Sequence, residues 1–516
     1  HPGTEIISFD RDGKMLRKED RNGRGISFSY LEDGKLEKAE ADNGSSLTYS
    51  YNKEGQLEKV ADHTGRSVQL TYREGKLEKV ATASGAEYRY DYGENGRITE
   101  VENARRVTAV KNTYDRRFRI IRQEFPDGGT MEFSYDDKNR LVTLTERNGS
   151  RIIHVHDDRY RNTETIYEDG TKEHYLYNEK NQCISMTDRL GRTTRMAYDN
   201  RGNLTQTLDA LKRRVNYTYD AGGNMTSRKT YAYTEGTPQT LQKNENLSYR
   251  TDGWKDQLVS WNGYRYVYDA GGNPTLLRGV PLTWGEGRRL KRVSLSWGTV
   301  DFAYDSDGKR VRKTSGGNIT TYYYNGNVLS GLVRKASKDA GTTGTGTTVQ
   351  FVYDTQGKPF MLRMNGKTDY FYLYNGLGDV TGLVDSSNQV VVRYQYNSWG
   401  KVTSTQDTSG VSLATLNPFR YRKYVYDPET GLYCLGSRYY DPEVGRFVNA
   451  DDTDVIFAKP QELGSKNLYA YCDNNPVARE DYAGEFPIPC IVGAVVGAVV
   501  SGFSYVLSSG GEIDGV

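Results

Sequence analysis

Residues suited to chemistry crowd into one part of this 516-residue chain. Between 416 and 486 an irregular stretch carries Asp427, Arg438, Asp441, Asp451, Asp452 and Asp481 among many aromatic residues. Two carboxylates held close cannot both ionise comfortably, so one keeps a proton while the other accepts one, and a single residue type supplies both acid and base. Elsewhere the candidates are thin. His154 and His156 fall on one face of a strand by alternation, which suits a metal ion, but no third ligand is in register. Neither a metal nor a cofactor is expected. Cys183, Cys434, Cys472 and Cys490 lie far apart without CxxC spacing, which excludes a disulfide framework or an ordinary zinc site. Lys212 to Arg214 and Arg288 to Arg292 are short basic clusters without interleaved aromatics, expected as solvated strand edges. With 69 basic against 67 acidic residues, no nucleic-acid partner is expected.

The elements that must position such residues are strands. The 42 tyrosines outnumber 14 Phe and 5 Trp, a vocabulary of strands and turns in which each Tyr is expected to bury its ring and leave its hydroxyl wet. Phe9, Tyr30, Tyr51, Tyr72, Tyr92, Tyr114, Tyr135, His156, Tyr177, Tyr198 and Tyr219 recur at steps of 20 to 22 residues. Each unit is an alternating run, a polar turn and a second run, as in Thr48–Tyr51 followed by Gln56–Val60. Gly13, Gly34, Gly55, Gly75, Gly96 and Gly202 sit where a left-handed turn is needed. Two short strands cannot bury an apolar face alone, so the units must pair edge to edge into one long sheet. Tyr231 to Asn246 is expected as an insertion or long loop, and Lys335 to Thr348 as a low-complexity surface hairpin.

This period, with the Tyr-Asp signature at Tyr198-Asp199, Tyr219-Asp220, Tyr268-Asp269, Tyr304-Asp305 and Tyr353-Asp354, resembles the RHS or YD-repeat family over residues 1 to 486. The resemblance implies an all-β fold in which antiparallel hairpins wind spirally into part of a hollow shell, closed by an irregular core. The segments Asn417–Lys423, Tyr426–Cys434, Arg438–Phe447, Asn449–Asp452, Asn467–Tyr471, Asp473–Val477 and Asp481–Gly484 resemble the RHS-associated core of polymorphic toxins and of the C components of ABC insecticidal toxin complexes. That likeness implies an aspartyl protease acting once, on its own chain. By motif, Asp451 and Asp481 are its carboxylates, Arg438 its essential arginine, and Gly484, Glu485 and Phe486 its cleavage region. Arg438 would hold a carboxylate charged or face the developing oxyanion. Asp452 stands where the family often has Pro and is the rival of Asp451. Glu485 stands where it often has Leu, and Thr453 to Lys466 is longer than in compact relatives.

The organisation that follows is regular repeats over 1–225, looser repeats over 226–415, a core over 416–486, and the start of a variable C-terminal segment over 487–516. Residues 491–507 are apolar with Gly493, Gly497 and Ser501 spaced by four, which leaves membrane contact or packing inside the shell open. The expected partners are the chain's own C-terminal toxin segment, an upstream shell or capping domain, secretion machinery and an immunity protein for the toxin. His1 opens inside patterned sequence with no basic-then-apolar leader, as in a fragment whose export signal lies upstream, and the expected location is secreted or cell-surface. The alternatives are a wall-associated adhesin that stacks sugars on tyrosines, and a spacer with an inactive core.

Overall fold

The computed structural model describes residues 6–481 and 488–489, except 20–24, 82–86, 103–107, 233–239, 340–345, 452–466 and a scatter of single or paired positions. Among the described residues, the chain up to Asp407 is a succession of antiparallel strands. The unit around Tyr198 shows why the repeat folds as it does. Strands Thr193–Tyr198 and Leu204–Leu208 are joined by a tight turn in which the Asp199 amide donates to the Asn203 carbonyl at 3.0 Å and the Gly202 amide to the Asp199 carbonyl at 3.1 Å. Gly202 has φ +92°, a conformation that costs glycine little. The Asp199 carboxylate accepts the amides of Arg201 and Asn203, both at 2.9 Å, so the Asp of each Tyr-Asp pair is a turn buckle.

The tyrosine has a more specific task than covering the sheet. Pairing shifts register between Ala197 and Tyr198, a bulge that recurs at the repeat tyrosines. From there the Tyr198 hydroxyl donates to the Cys183 carbonyl, fifteen residues back, at 2.7 Å. Tyr30 reaches Met15, Tyr51 reaches Leu36, Tyr72 reaches Leu57 and Tyr219 reaches Leu204 in the same way. The expectation of a wet hydroxyl is therefore wrong for these tyrosines. The carbonyl at the start of each unit's second strand needs a donor, and the next unit's tyrosine supplies it. Tyr198→Phe is expected to destabilise by about 1 kcal/mol, whereas Tyr160→Phe, at a position 85% exposed, changes nothing; urea midpoints of the two variants check this.

Among the described residues the repeats build two sheets, of 25 and 14 strands, where one continuous sheet is expected. The chain changes partner at buried Tyr266: Tyr264–Arg265 pairs backward with Leu258–Trp261, and Val267–Tyr268 pairs forward with Pro274–Leu277. The loop expected over Tyr231 to Asn246 is also corrected. Thr240–Tyr249 is a ten-residue strand paired with Met225–Ala232. Its first five residues are exposed, so its composition is polar without alternation. A buried bidentate pair, Arg228 to Glu245 at 2.6 and 2.7 Å, helps hold it instead. In the expected hairpin over Lys335 to Thr348, Val328–Ala336 does pair with Thr347–Tyr353.

The two sheets meet at Glu173, whose carboxylate accepts the Tyr175 hydroxyl at 2.6 Å, the Tyr167 hydroxyl at 3.0 Å and the Gly376 amide of the second sheet at 2.8 Å. A side chain on Gly376 would collide with the Tyr175 hydroxyl, so this approach needs glycine. The sheets and the core line a concave cavity of 1760 Å³, with Met131 and Tyr217 from the first sheet, Tyr372 and Tyr396 from the second, and Tyr421 and Glu480 from the core.

Candidate active site: two buried carboxylates on one arginine

Beyond Asp407 the repeat pattern ends in a dense plug of aromatic residues. A four-stranded sheet, Val425–Asp427, Leu432–Cys434, Tyr439–Asp441 and Arg446–Phe447, carries fully buried Tyr433 and Tyr440 against Tyr471, the last two with ring centroids 4.0 Å apart. Trp399 of the second sheet packs under it, and a side chain on Gly445 would strike the Trp399 ring. Buried arginines fasten the plug to the repeats. Arg446 donates to Asn224 and to the Tyr249 hydroxyl, both at 3.0 Å, and to the Asp256 carbonyl at 2.6 Å. Arg422 donates to the Leu377 carbonyl of the second sheet and to the Pro476 carbonyl at 2.7 Å, which orients the stretch that leads to Asp481.

Within this plug Arg438 immediately precedes the strand Tyr439–Asp441, and its guanidinium lies 3.5 Å above the Phe447 ring. It reaches Asp451 at 3.1 Å through one terminal nitrogen and Asp481 at 3.2 Å through the other. The side chains are 4%, 9% and 1% exposed respectively, so the charges interact with little screening. Burial pulls Arg438 below the usual arginine range, and the two aspartates oppose that pull. The backbones are held as well. Asp451 donates its amide to the Leu468 carbonyl at 2.9 Å, while Arg438 donates to the same carbonyl at 3.2 Å. Asp481 donates its amide to the Tyr424 hydroxyl at 2.9 Å, and Tyr424 shares a hydrogen bond with Tyr471 at 3.1 Å. Burial also raises the Cys472 thiol well above its usual range, which keeps it neutral beside this cluster. The three residues named by motif are thus brought together from segments 30 and 43 residues distant in sequence.

Asp452, Gly484, Glu485, Phe486, Cys490 and residues 491–507 lie outside the described residues. Among those described, no helix is long and apolar enough to cross a membrane. No group of three His, Cys, Asp or Glu side chains there is placed to hold a metal ion. His154 and His156 do neighbour each other, with ring centroids 6.5 Å apart. Burial first, then His156 and Lys358, lower His154 to about 4. Unfolded histidine takes up a proton near pH 6.5 that the native ring refuses until about pH 4, so stability falls as pH drops through that window and levels off below it. His154→Gln is expected to flatten that part of the profile, read from urea midpoints at several pH values.

The basic clusters are largely solvated as expected, with Lys212, Arg213, Lys291 and Arg292 exposed, but the strands they enter are paired on both sides and are not edges. Arg213 pairs with Asp209 at 2.8 Å, Arg214 covers the Tyr231 ring, and Arg292 pairs with Asp301 at 2.5 Å. Arg288 reaches into the core, donating to the Asp451 carbonyl at 2.8 Å. Tyr424, Phe447 and Arg288 are the contributors to this site that the sequence does not reveal. Their partners lie 57, 9 and 163 residues away, and only the Phe447 contact is near enough to leave a local motif.

Comparison with known proteins places the chain. It is 34% identical over 280 residues to the tRNA3(Ser)-specific nuclease WapA of Bacillus spizizenii, covering 53% of this chain and 11% of that protein. It is 28% identical over 300 residues to Toxin subunit YenC1 of Yersinia entomophaga, covering 53% of this chain and 29% of that protein. The solved TcdB2-TccC3 structure superposes on 94% of this chain with a TM-score of 0.53 at 17% identity, a likeness of fold, and the match occupies 28% of that chain. The chain therefore spans less than a third of each of these proteins. A sequence model of the teneurin YD-shell matches residues 4–151 and 176–477, the gap between them holding the unit in which His156 replaces tyrosine. With most of its length matched by that model and its relatives among bacterial toxins, the chain belongs to the teneurin YD-shell family, the RHS or YD-repeat proteins.

Proposed function

We propose that this chain is the closing part of a toxin carrier, whose repeats over 1–225 and 226–415 shelter a C-terminal effector beginning at about 487, and whose core over 416–486 cuts the chain once near Gly484–Phe486. The observation that carries this reading is Arg438 bound to both Asp451 and Asp481 with all three side chains buried. Two carboxylates at one guanidinium supply the base and the acid that the reaction needs. The ionised aspartate takes a proton from water as its oxygen bonds to the scissile carbonyl carbon. The protonated aspartate gives its proton to the carbonyl oxygen; collapse then breaks the C–N bond and returns a proton to the leaving amine. Asp481 lies three residues before Gly484, so the chain needs only a short excursion to present its own peptide bond.

A concavity of 1760 Å³ where repeats meet core, lined by Tyr421 and Glu480, supports an interior bordered by the core. The relatives named as nuclease and toxin subunit support an exported or surface-exposed protein that works with a C-terminal effector or other toxin components. An immunity protein and the secretion machinery would be its further partners. Intact-mass spectrometry of the purified chain tests the reading. A product ending at Gly484, or one residue later, is expected; an uncut mass after prolonged incubation would falsify it.

A further inference from the structure

Arg288 belongs to a hairpin of the second sheet, between strands Val280–Trp284 and Leu290–Leu295, yet its side chain ends in the core. One terminal nitrogen donates to two consecutive carbonyls, Ala450 at 3.2 Å and Asp451 at 2.8 Å. Its backbone has φ +59°, a left-handed conformation uncommon for arginine that the surroundings must enforce. The neighbouring Arg289 turns the other way, to the Asp305 carbonyl within the repeats. Asp451 is consequently held on both sides of its α-carbon: its amide by Leu468, its carbonyl by Arg288. Arg438 then meets a carboxylate whose backbone cannot swing.

We propose that Arg288 is a positioning residue for self-cutting, clamping the Asp451 backbone so that the cut requires the second repeat sheet to be seated on the core. The proposal rests on the reading of Asp451 as a cleaving carboxylate. Its physical content is that Arg288 touches neither the carboxylate nor the scissile bond, yet a displacement of about 1 Å at a reacting group costs on the order of a hundredfold in rate. Premature cutting of a chain still folding is thereby suppressed, because Asp451 is in place only after a contact 163 residues distant has formed.

The variant that isolates the clamp is Arg288→Gly, since glycine accepts the positive φ without strain while the guanidinium is lost. In the full chain, Arg288→Gly is expected to slow the appearance of the cut product ten- to a hundredfold, with a thermal midpoint within about 2 °C of the parent. Arg288→Lys, which can still donate to one carbonyl, restores part of the rate, and added guanidinium ion partly rescues Arg288→Gly but not the parent. Hydrogen exchange is measured in parallel on the peptide covering 446–451, where loss of protection in Arg288→Gly reports the clamp whether or not cutting occurs. Parental cutting rate in Arg288→Gly overturns the proposal, as does unchanged protection of that peptide. If the parent does not cut while the peptide loses protection, the protease reading fails and the clamp stands as a structural contact, which overturns the positioning role.

Discussion

Replacing Asp451 or Asp481 by Asn is expected to slow the proposed self-cutting by on the order of a thousandfold, giving one band on a denaturing gel where the parent chain is expected to give two. Asparagine keeps the shape of each side chain and can still accept a hydrogen bond from Arg438, but it can neither take a proton from water nor supply one. Each variant leaves Arg438 facing one carboxylate where the parent has two. The guanidinium keeps a buried carboxylate partner, so folding should not suffer, and the thermal midpoint separates lost chemistry from lost structure. Asp452→Asn is the matched control, adjacent in sequence to Asp451, and is expected to cut at the parental rate. Persistent cutting in both Asp451→Asn and Asp481→Asn would remove the pair from the mechanism.

The second large effect is on folding. Asp427, wholly buried, accepts Arg310 at 2.5 Å and Lys313 at 3.1 Å, tying the second sheet to the four-stranded core sheet. Arg310 also lies over the rings of Phe302 and Tyr322, and Lys313 continues to Glu429 at 2.8 Å. Burial alone would push the Asp427 carboxyl up, yet the two cations outweigh it and hold the carboxyl below the usual carboxylate range. Asp427→Ala leaves Arg310 as a buried charge without its carboxylate, which costs about 3–5 kcal/mol. Urea denaturation followed by tryptophan fluorescence measures the loss, since Trp399 sits at the joint between sheet and core. The depressed Asp427 contributes stability that is present above the unfolded carboxyl range and disappears as pH falls through the native value, so the parent and Asp427→Ala should converge in acid.

The two effects separate the layers of the protein. Loss of Asp427 is expected to undock the core and expose its strands to protease, stopping the proposed cutting indirectly. Loss of Asp451 is expected to stop it while the core remains closed.

The repeat is legible in the chain because its causes are local. A turn closes within five residues, Gly202 and Asp199 each act within that turn, and the tyrosine meets a carbonyl fifteen residues back in the preceding unit. Every unit repeats the same short-range bargain between turn, bulge and cross-strand neighbour, so spacing alone reveals it. The same locality explains the errors. Thr240–Tyr249 owes its strand to pairing and to the buried Arg228–Glu245 contact, and since half of it is exposed its residues carry no alternation to read. Arg288 looks like part of a basic surface run because nothing near it in sequence names Asp451.

From its residues alone the chain establishes that it must form successive hairpins, where they turn, and which segment departs from the pattern, since hydrophobic period and turn chemistry act between near neighbours. Tertiary structure alone decides that the sheet divides at Tyr266, that Arg438 stands between Asp451 and Asp481, and that Arg288 steadies one of them. Those are meetings between distant segments, and their strength comes from the exclusion of water, a property of the packed molecule that no stretch of sequence possesses by itself.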